Sequence, residues 1–459
     1  MRIWMIGAGY VGLTSGTCLA NMGHQVCCYD ISAARIAQLE RFDIPIYEPG
    51  LETAMREAVD AGKLRFSSLL KGGGIMDADA VFIAVGTPSG RDGSIDLSQV
   101  MTAAQQIAPH LKRGALVIIK STVVVGTARR VRELIARERG AFDIRVASNP
   151  EFLREGSALK DFLSPDRIVI GADDARARNA LRAIYRPFEK TGVPVVTTTT
   201  GNAELIKYAA NAFLALKIGF VNDVANLCEM AGGDIGDVMH GIGLDGRIGR
   251  SFLMPGPGFG GSCFPKDTRA FAATGRQFGA PQKLIETLID RNEQRKVLLA
   301  RRILKEAKLV SGSRIAVLGL AFKANTDDVR ESAALTLVPI LQQAGMQVAV
   351  HDPRAASNAR RYVSDVKWAS NPYDACNGAA AAVILTEWDD YRRLDMARLA
   401  RSLSGKTLFD YRNLFDPRSV TRYGLRYVSL GRPAAIVHQR AGVSSLDSWD
   451  RRVAAPGHA

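Results

Sequence analysis

The sequence predicts an α/β protein in which two Rossmann-like, doubly wound domains are joined by a long central helix. Three observations predict it: a glycine-rich turn between a strand and a helix near residue 7, an unbroken helical pattern over 202–231, and a second strand–turn–helix–strand pattern from residue 313. A chain of 459 residues is long enough for two or three domains. We expect a first Rossmann domain at 1–200, a central helical region at 201–305, a second Rossmann-like domain at 306–432 and a mobile tail at 433–459.

The first turn has the pattern of a dinucleotide-binding site. A short apolar strand runs directly into residues 7–12, GAGYVG, and a second strand ends at Asp30. Gly7 permits the tight turn, Gly9 lets the backbone approach a pyrophosphate, and Gly12 lets the helix pack on the strand. The phosphates would lie at the helix N-terminus, which favours anions. A carboxylate at Asp30 would bind the adenosine ribose and repel a 2′-phosphate, so NAD is expected rather than NADP.

Polar residues follow the next three predicted strands, which span residues 80–85, 115–120 and 144–147. Because ligands collect beyond the carboxyl ends of parallel strands, these residues converge on the expected place of a nicotinamide. Any one of them alone could simply terminate its strand. They are Thr87, Thr122 and Glu151.

The central helical pattern carries two polar residues on one face. Lys207 and Asn211 are four residues apart and therefore neighbours on a helix surface. A long apolar helix suits the spine between two domains and also a subunit interface. The sequence leaves two interpretations of Lys207 open: a functional amine in an apolar setting, or a side chain that extends its charge to solvent.

Residues 258–267, GFGGSCFPKD, place a cysteine at the end of a glycine-rich loop. Cys263 is followed by Lys266 and Asp267, and nearby cations favour the reactive thiolate. The alternative is a small buried hydrophobic residue, the usual role of a free cysteine. The loop and the predicted dinucleotide site together favour a nucleophile.

The third region repeats the first. Residues 314–319 parallel residues 2–7, and residues 345–352 parallel residues 23–30. The turn after the first strand lacks the full glycine pattern and instead contains Lys323, which can meet a phosphate as a point charge. Two nucleotide-shaped domains bridged by a helix predict a cleft for two nucleotides.

Composition excludes several other classes of protein. The formal net charge is +14, but the arginines are interleaved with glutamates on predicted helices, as over 129–139, which is typical of solvated faces and not of a nucleic-acid site. The six cysteines and six histidines lack ligand spacing, so we expect no metal and no disulfide framework. No segment has the pattern of a signal peptide or a membrane helix, so a cytoplasmic protein without membrane partners is expected.

The motifs together resemble the UDP-glucose 6-dehydrogenase family, and the resemblance extends to about residue 430. The matching segments are residues 7–12, 47–51, 85–88, 149–156, 207–213, 247–249, 260–267, 322–323 and 328–332. Among nucleotide-sugar dehydrogenases, the Cys-Phe-Pro-Lys-Asp segment is most similar to the UDP-glucose branch. The GDP-mannose branch is close and usually has Leu after the cysteine, so a GDP-mannose or other nucleotide-sugar 6-dehydrogenase remains the alternative.

The resemblance implies oxidation of UDP-glucose at C6 to UDP-glucuronate, a polysaccharide precursor, by two NAD molecules. Cys263 would hold the aldehyde as a thiohemiacetal and then as a thioester, and Lys207 would stabilise oxyanions at C6. Asp267 with a water would transfer protons. The resemblance also implies three supporting roles. Thr122 would position that water, Glu151 would assist thioester hydrolysis, and Asn211 would hydrogen-bond the oxyanion.

The resemblance also implies two binding sets and at least a homodimer, because the arginine that matches Arg247 comes from the neighbouring subunit in this family. The cofactor set is Gly7, Gly9, Val11, Gly12, Asp30, Arg35, Thr87, Thr122, Glu155, Lys266 and Arg330. The nucleotide-sugar set is Glu151, Phe152, Leu153, Glu155, Lys207, Asn211, Arg247, Phe252, Gly258, Phe259, Cys263, Phe322, Lys323 and Arg412.

Two rival classes of function share parts of this pattern. A two-electron dehydrogenase of a small hydroxy acid has the Rossmann domain and the helix, but needs no thiol nucleophile and no second Rossmann half. A binding or regulatory protein could retain the fold without turnover. The presence of Cys263, Lys207 and Asp267 together favours an enzyme.

Overall fold

The computed structural model describes residues 1–70, 74–90, 92–140 and 143–435. The chain forms two α/β units with a layer of long helices between them. The fold class predicted from the sequence is confirmed. Most of the predicted tail, from 436 onward, lies outside the described residues.

The first unit is a mixed sheet in which the described strands have the order β3-β2-β1-β4-β5-β6-β7-β8. The strands are β1 (Arg2–Ile6), β2 (Gln25–Tyr29), β3 (Leu64–Ser67), β4 (Ala80–Ile83), β5 (Leu116–Ile119), β6 (Arg145–Ser148), β7 (Ile168–Ala172) and β8 (Val195–Thr198). The helices are α1 (Tyr10–Asn21), α2 (Ala33–Glu40), α3 (Leu51–Asp60), α4 (Ser98–Ile107), α5 (Thr127–Arg139), α6 (Ala158–Leu163), α7 (Ala175–Ile184) and α8 (Arg186–Lys190).

The first six strands pair in parallel, and this is what brings their carboxyl ends to one edge. The parallel sheet expected from the sequence needs one correction. β7 pairs antiparallel with β6, and β8 pairs parallel with β7. The loop after β6 therefore turns back along the sheet, which keeps residues 149–157 over the carboxyl edge.

Four helices form the central layer, and the longest confirms the predicted helical spine. They are α9 (Thr200–Ala231), α10 (Ile235–Gly243), α11 (Phe264–Gln277) and α12 (Lys283–Glu306). The Thr199 side chain caps the start of α9 by accepting from the Asn202 backbone N–H at 3.3 Å, and Gly232, with φ of 76°, ends it. α9 packs on both α11 and α12, so the residues of one face are enclosed.

The second unit is a parallel sheet whose described strands have the order β11-β10-β9-β12-β13-β14. The strands are β9 (Arg314–Leu318), β10 (Gln347–His351), β11 (Lys367–Trp368), β12 (Ala381–Ile384), β13 (Thr407–Asp410) and β14 (Arg426–Ser429). The helices are α13 (Ala333–Gln343), α14 (Ala356–Ala359), α15 (Pro372–Cys376), α16 (Asp389–Arg392), α17 (Met396–Ser402) and α18 (Pro417–Thr421). This sheet confirms the second Rossmann-like pattern.

Apolar side chains form a core on each face of the first sheet and a separate core in the second unit. The cysteines at 18, 27 and 28 lie in the cores of the first sheet. Among the described residues, no helix is long and apolar enough to cross a membrane.

Candidate active site

The glycine turn after β1 has the shape that a dinucleotide requires. Gly7 has φ of 99°, and a Cβ there would lie 2.7 Å from the Ala84 carbonyl oxygen. A Cβ at Gly12 would lie 1.8 Å from the Gly7 carbonyl oxygen, so α1 can begin this close to the turn only with glycine. A Cβ at Gly9 would meet nothing within 4 Å, which leaves the backbone open to a ligand. These residues fit a pyrophosphate at the start of α1, where Val11 is half-buried.

Asp30 stands at the end of β2, as predicted, and is already partly satisfied within the protein. Its carboxylate accepts from the Ala8 and Ser32 backbone N–H groups, each at 3.0 Å, and from Arg35 Nη1 at 2.9 Å. The structure therefore brings two members of the predicted cofactor set, Asp30 and Arg35, together as an ion pair beside the turn.

The ends of β4 and β5 are joined at the same edge. The Ser121 hydroxyl donates to the Val85 carbonyl oxygen at 2.7 Å and so ties the two strand-end loops together. Thr87 is buried in the first loop, and Thr122 is half-buried in the second. Within the described residues, the Thr122 hydroxyl makes no hydrogen bond to another member of the site.

Lys207 of α9 points inward and pairs with Glu151. Its Nζ donates to Glu151 Oε1 at 2.9 Å, and the other Glu151 oxygen accepts from the Leu153 backbone N–H at 2.5 Å. The Lys207 side chain is only 3% exposed, which decides the question that the sequence left open: the charge does not extend to solvent. The Phe152 ring lies under this amine, with its centroid 5.3 Å from Nζ.

Both members of this pair are held in their charged forms. Burial raises the pKa of the Glu151 carboxyl, but the Lys207 ammonium and the hydrogen bonds outweigh burial and hold that pKa below its ordinary value. Burial lowers the pKa of Lys207, but Glu151, Cys263 and Asp267 outweigh burial and raise it. The site therefore contains a fixed ammonium close to the Cys263 thiol.

Asn211, one turn further along α9, holds the second carboxylate. Its Nδ2 donates to Asp267 Oδ2 at 2.5 Å, and Lys266 Nζ donates to Asp267 Oδ1 at 2.6 Å. Asp267 lies in the first turn of α11 and is fully buried. Lys207 and Asn211 lie one turn apart on the same face of α9, as their spacing predicted, and each donates to a different buried carboxylate.

Cys263 is the N-cap residue of α11, with Ser262 Oγ 3.5 Å from its sulfur. Burial raises the pKa of the Cys263 thiol to about 11, with Glu151 and Asp267 adding to the rise, although Lys207 acts in the opposite direction. The expectation that nearby cations favour the thiolate needs correction, because burial outweighs them. The resting group is the neutral thiol, and its reaction requires a base.

The glycine-rich loop before Cys263 is packed against the second unit. A Cβ at Gly260 would lie 2.4 Å from the Glu331 carbonyl oxygen, and one at Gly261 would lie 2.6 Å from the Phe322 ring. A Cβ at Gly258 would lie 2.9 Å from Asn292 Oδ1. The glycines serve close packing of this loop against the second unit and α12 as much as access for a ligand.

The other predicted nucleotide-sugar residues line the same junction. Arg412 donates to the carbonyl oxygens of Phe322 and Leu385, each at 2.7 Å, and a Cβ at Gly256 would lie 3.2 Å from its Nη1. The Phe252 and Phe259 rings both pack on Phe264, at centroid distances of 6.0 and 6.2 Å. Lys323 lies in the loop after β9, where burial lowers its pKa against the pull of Glu155 and Glu387.

Glu155 connects the three parts of the chain. Its carboxylate accepts from Ser262 Oγ at 2.7 Å and from Thr326 Oγ1 at 3.3 Å, and lies 3.6 Å from Arg330 Nη2. Burial, reinforced by Asp328, raises the pKa of this carboxyl. Arg330 pairs more closely with Asp328, at 2.7 Å.

Arg247 is not brought to the other site residues. Its guanidinium pairs with Asp245 at 2.5 Å in the loop after α10, and its side chain is 90% exposed. Within the described residues it makes no other ion pair or hydrogen bond.

One important residue had no role assigned from the sequence. Glu48 is buried and accepts from the Gly156 and Ala158 backbone N–H groups, each at 2.7 Å, and from the Tyr10 hydroxyl. It therefore fixes the loop that carries Glu155 against the start of α1. The Tyr-Glu-Pro-Gly segment at 47–50 was the available signal.

The second unit differs from the first at the matching acidic position. Asp352 accepts from the backbone N–H groups of residues 320, 321, 354 and 355 at 2.7–2.9 Å, and from Trp388 Nε1 at 3.2 Å. Its oxygens are thus occupied by the protein. The repeat predicted from the sequence is present in the fold, but its acidic residue stabilises the turn instead of facing a ribose.

Comparison with known proteins gives consistent matches over most of the chain. Models of the UDP-glucose/GDP-mannose dehydrogenase family match residues 1–189 as its NAD binding domain, 201–294 as its central domain and 316–417 as its UDP binding domain. The chain is 49% identical over 437 residues to a UDP-glucose 6-dehydrogenase of Rhizobium meliloti, covering 94% of this chain and 100% of that protein. It is 45% identical over 447 residues to one of Pseudomonas aeruginosa, covering 95% and 98%. A solved UDP-glucose dehydrogenase from the archaeon Pyrobaculum islandicum superposes with a TM-score of 0.84 at 39% identity, covering 93% and 96%.

Proposed function

Because the chain belongs to the UDP-glucose/GDP-mannose dehydrogenase family, we propose that it oxidises the C6 alcohol of UDP-glucose to the carboxylate of UDP-glucuronate. The family resemblance found in the motifs is confirmed by these matches. The observation that carries the proposal is a thiol, Cys263, placed beside an ammonium, Lys207, and two buried carboxylates, Glu151 and Asp267. This is the set of groups that a four-electron oxidation with a retained aldehyde needs.

The cofactor is NAD, as predicted, because residues 1–189 match the family's NAD binding domain. When bound, NAD accepts one hydride from C6 in each oxidation, so two NAD molecules are reduced per sugar. We propose that the glycine turn and Asp30 hold it, with Arg35, Thr87, Thr122, Glu155, Lys266 and Arg330 completing the set.

In the first oxidation, C6 loses a hydride and its hydroxyl loses a proton. We propose that Asp267 accepts this proton through a water that Thr122 positions, and that Lys207 and Asn211 stabilise the negative charge developing on the oxygen. The raised pKa of Lys207 keeps the ammonium charged throughout this step. The product is an aldehyde, which must not leave.

The Cys263 thiol then adds to the aldehyde carbon. The S–H bond breaks, a C–S bond forms, and the carbonyl oxygen becomes a hydroxyl, which gives a thiohemiacetal. Asp267 and its water are the proposed carriers of both protons: the proton taken from the C6 hydroxyl returns to the aldehyde oxygen, and the freed carboxylate accepts the thiol proton. Such a base is needed because burial raises the pKa of the thiol. A second loss of hydride and of the hydroxyl proton converts the adduct to a thioester.

Water finally cleaves the thioester. It adds to the carbonyl carbon, the C–S bond breaks, and the carboxylate leaves while Cys263 regains its proton. We propose that Glu151 assists this step as the base, because its lowered pKa keeps it ionised. The sum is one alcohol, two NAD⁺ and one water giving one carboxylate, two NADH and three protons.

We propose that the nucleotide sugar lies in the junction between the two units. Lys323, Arg412 and the loop over 252–258 would hold it, with the segment 151–153 and Phe259 on the other side. We also propose the division into segments at 1–200, 201–305 and 306–432 and an assembly of at least a homodimer, in which the partner subunit supplies the arginine equivalent to Arg247.

The test is NADH formation by the purified protein with UDP-glucose, GDP-mannose and UDP-N-acetyl sugars. We expect UDP-glucose to give the highest kcat/KM, with two NADH formed per sugar. A preference for GDP-mannose would contradict the substrate assignment. One NADH per substrate would contradict the four-electron reaction and favour a two-electron dehydrogenase.

A further inference from the structure

A second buried lysine lies behind the Lys207–Glu151 pair. Lys120 follows the last residue of β5 and is buried, with Nζ 3.0 Å from Asn149 Oδ1 and 5.9 Å from the Tyr185 ring centroid. In the part of the chain that the structure describes, it makes no ion pair with a carboxylate. Burial lowers the pKa of Lys120 to about 8, with Lys207 adding to the fall and Glu151 opposing it. A buried ammonium in this setting destabilises the fold unless something else favours it.

The surrounding structure does not need this charge. Asn149 Oδ1 also accepts from the Tyr185 hydroxyl at 2.6 Å, and Asn149 Nδ2 donates to the Val169 carbonyl oxygen at 2.8 Å. The Asn149 backbone N–H donates to the Ile119 carbonyl oxygen at 2.9 Å. Asn149 therefore keeps partners for its amide and its backbone without Lys120.

Lys120 also interacts electrostatically with Glu151, which lies two residues beyond Asn149. The Lys120 ammonium favours the charged form of Glu151, in addition to the direct partner Lys207. Arg167, whose guanidinium lies 3.5 Å from the Phe152 ring centroid, also interacts with Glu151 electrostatically. Glu151 thus interacts with three cations: Lys120 directly after β5, Lys207 on α9 and Arg167 directly before β7.

We propose that Lys120 is a positioning residue of the oxidation, which keeps Glu151 ionised and in place when Lys207 turns its charge to the oxyanion at C6. The inference rests on the proposed function. As negative charge develops on the C6 oxygen, Lys207 is shared between that oxygen and Glu151. Lys120, whose Nζ is held by Asn149 Oδ1, then compensates Glu151 for the part of the Lys207 charge that turns to the C6 oxygen.

The charged and titratable groups around this arrangement come from several elements. Lys207 and Asn211 face it from α9, and Cys263 and Asp267 face it from the start of α11. Tyr185 faces it from the end of α7, and Arg167 from the position before β7. Lys207 lowers the pKa of Glu151 most, and Lys120 lowers it further. Loss of Lys120 should therefore raise the pH at which Glu151 becomes ionised.

The experiment compares Lys120→Met with Tyr185→Phe. Methionine removes the charge but keeps the length, and phenylalanine removes the other donor to Asn149 Oδ1 without changing any charge at neutral pH. For Lys120→Met we expect kcat with UDP-glucose to fall about tenfold or more, with KM changed less than about threefold. The acidic limb of its kcat–pH profile should move to higher pH, with no loss of melting temperature, whereas Tyr185→Phe should leave that limb unmoved. Lys120→Arg, which keeps the charge, should restore part of kcat.

Three results would overturn the inference. One is a Lys120→Met enzyme with the kcat and acidic limb of the wild type. Another is a Lys120→Met protein that melts well below the wild type or does not fold, because the lysine would then be structural. The third is the same displacement of the acidic limb in Tyr185→Phe. Failure of the proposed function appears separately, as a wild-type protein that does not oxidise UDP-glucose.

Discussion

The Lys207 ammonium and the Glu151 carboxylate form an ion pair inside the protein, with Nζ 2.9 Å from Oε1 and side-chain exposures of 3% and 6%. One partner comes from the middle of the chain and the other from the first sheet, so the pair fixes α9 against the carboxyl edge of that sheet. Removal of one partner leaves the other charge without its closest compensation in a dry site.

We expect Lys207→Met to lower the free energy of unfolding by about 3 kcal/mol, because Glu151 remains charged and buried. The double variant Lys207→Met/Glu151→Gln should be more stable than Lys207→Met.

The same pair should make stability depend on pH. Since the pKa of Glu151 is lowered on folding, the stabilisation from Glu151 is fully present above its unfolded pKa, about 4.3, and is lost as pH falls through the lower folded pKa. Urea unfolding at neutral and acidic pH measures both effects, and strictly additive losses would contradict the pairing.

The buried Glu204 of α9 should make stability depend on pH in the opposite direction. Its carboxylate accepts from the Gly126 and Ala128 backbone N–H groups at 2.6 and 2.8 Å, but burial raises its pKa to about 7, with Asp173 contributing. The folded protein therefore binds more protons than the unfolded chain from about pH 4.5 to 7, and its stability falls with rising pH in that window.

The matched variant is Glu204→Gln, which cannot ionise. We expect the wild type to lose stability relative to this variant between pH 5 and 7.5, by a few kcal/mol at most, since each pKa unit is about 1.4 kcal/mol. Urea unfolding at the two pH values measures the difference. A constant difference between the two proteins would show that Glu204 is ionised throughout.

How much of this could be predicted from the sequence depended on the range of the interaction. β1 and β2 were predicted to end at Gly7 and Asp30, and they end directly before these residues, because a short apolar strand bounded by glycine or by aspartate is a local signal. Lys207 and Asn211 were placed on one face by helix geometry alone. Glu48 was not assigned a role, because its partners at Gly156 and Ala158 are more than a hundred residues away and are set by the fold. The raised pKa of the Cys263 thiol was missed because burial cannot be read from neighbouring residue types.

α9 should mediate self-association. Phe213, Phe220 and Leu227 recur every seven residues, so they lie along one stripe of the helix, and their exposed fractions are 63%, 57% and 66%. An apolar stripe of this kind fits a second copy of itself. We expect light scattering to show at least a dimer at micromolar concentration, and Phe220→Glu to shift it toward monomer.

Phe278→Glu is the control, because Phe278 is equally exposed but lies after α11. It should leave the oligomeric state unchanged. A fully active wild-type monomer at micromolar concentration would contradict the interface and the proposed role of Arg247 from the partner subunit.

NAD should be preferred over NADP by at least tenfold in kcat/KM, or about 1.4 kcal/mol. The carboxylate of Asp30 would repel a 2′-phosphate, and its ion pair with Arg35 offsets the charge of the cation that could accept one. Steady-state kinetics with both cofactors measure the ratio. The substitution Asp30→Asn should lower the ratio of kcat/KM for NAD to that for NADP. Equal kcat/KM values for the two cofactors in the wild type would contradict the role of Asp30.

Substitutions of Cys263 separate a covalent role of its thiol from a packing role. Cys263→Ala should abolish net four-electron turnover while leaving the binding of both nucleotides nearly intact. If Cys263 were only a buried packing residue, its replacement by serine would lower stability by about 1 kcal/mol or more and leave turnover per folded molecule unchanged.

Mass spectrometry of Cys263→Ser incubated with UDP-glucose and NAD tests the covalent role most directly. The serine hydroxyl can still add to the aldehyde, but the resulting ester hydrolyses more slowly than a thioester, so a sugar–enzyme adduct should accumulate at residue 263. We expect that adduct together with an inactive, folded Cys263→Ala enzyme. Wild-type turnover in a well-folded Cys263→Ala enzyme would contradict the nucleophile assignment and most of the proposed mechanism.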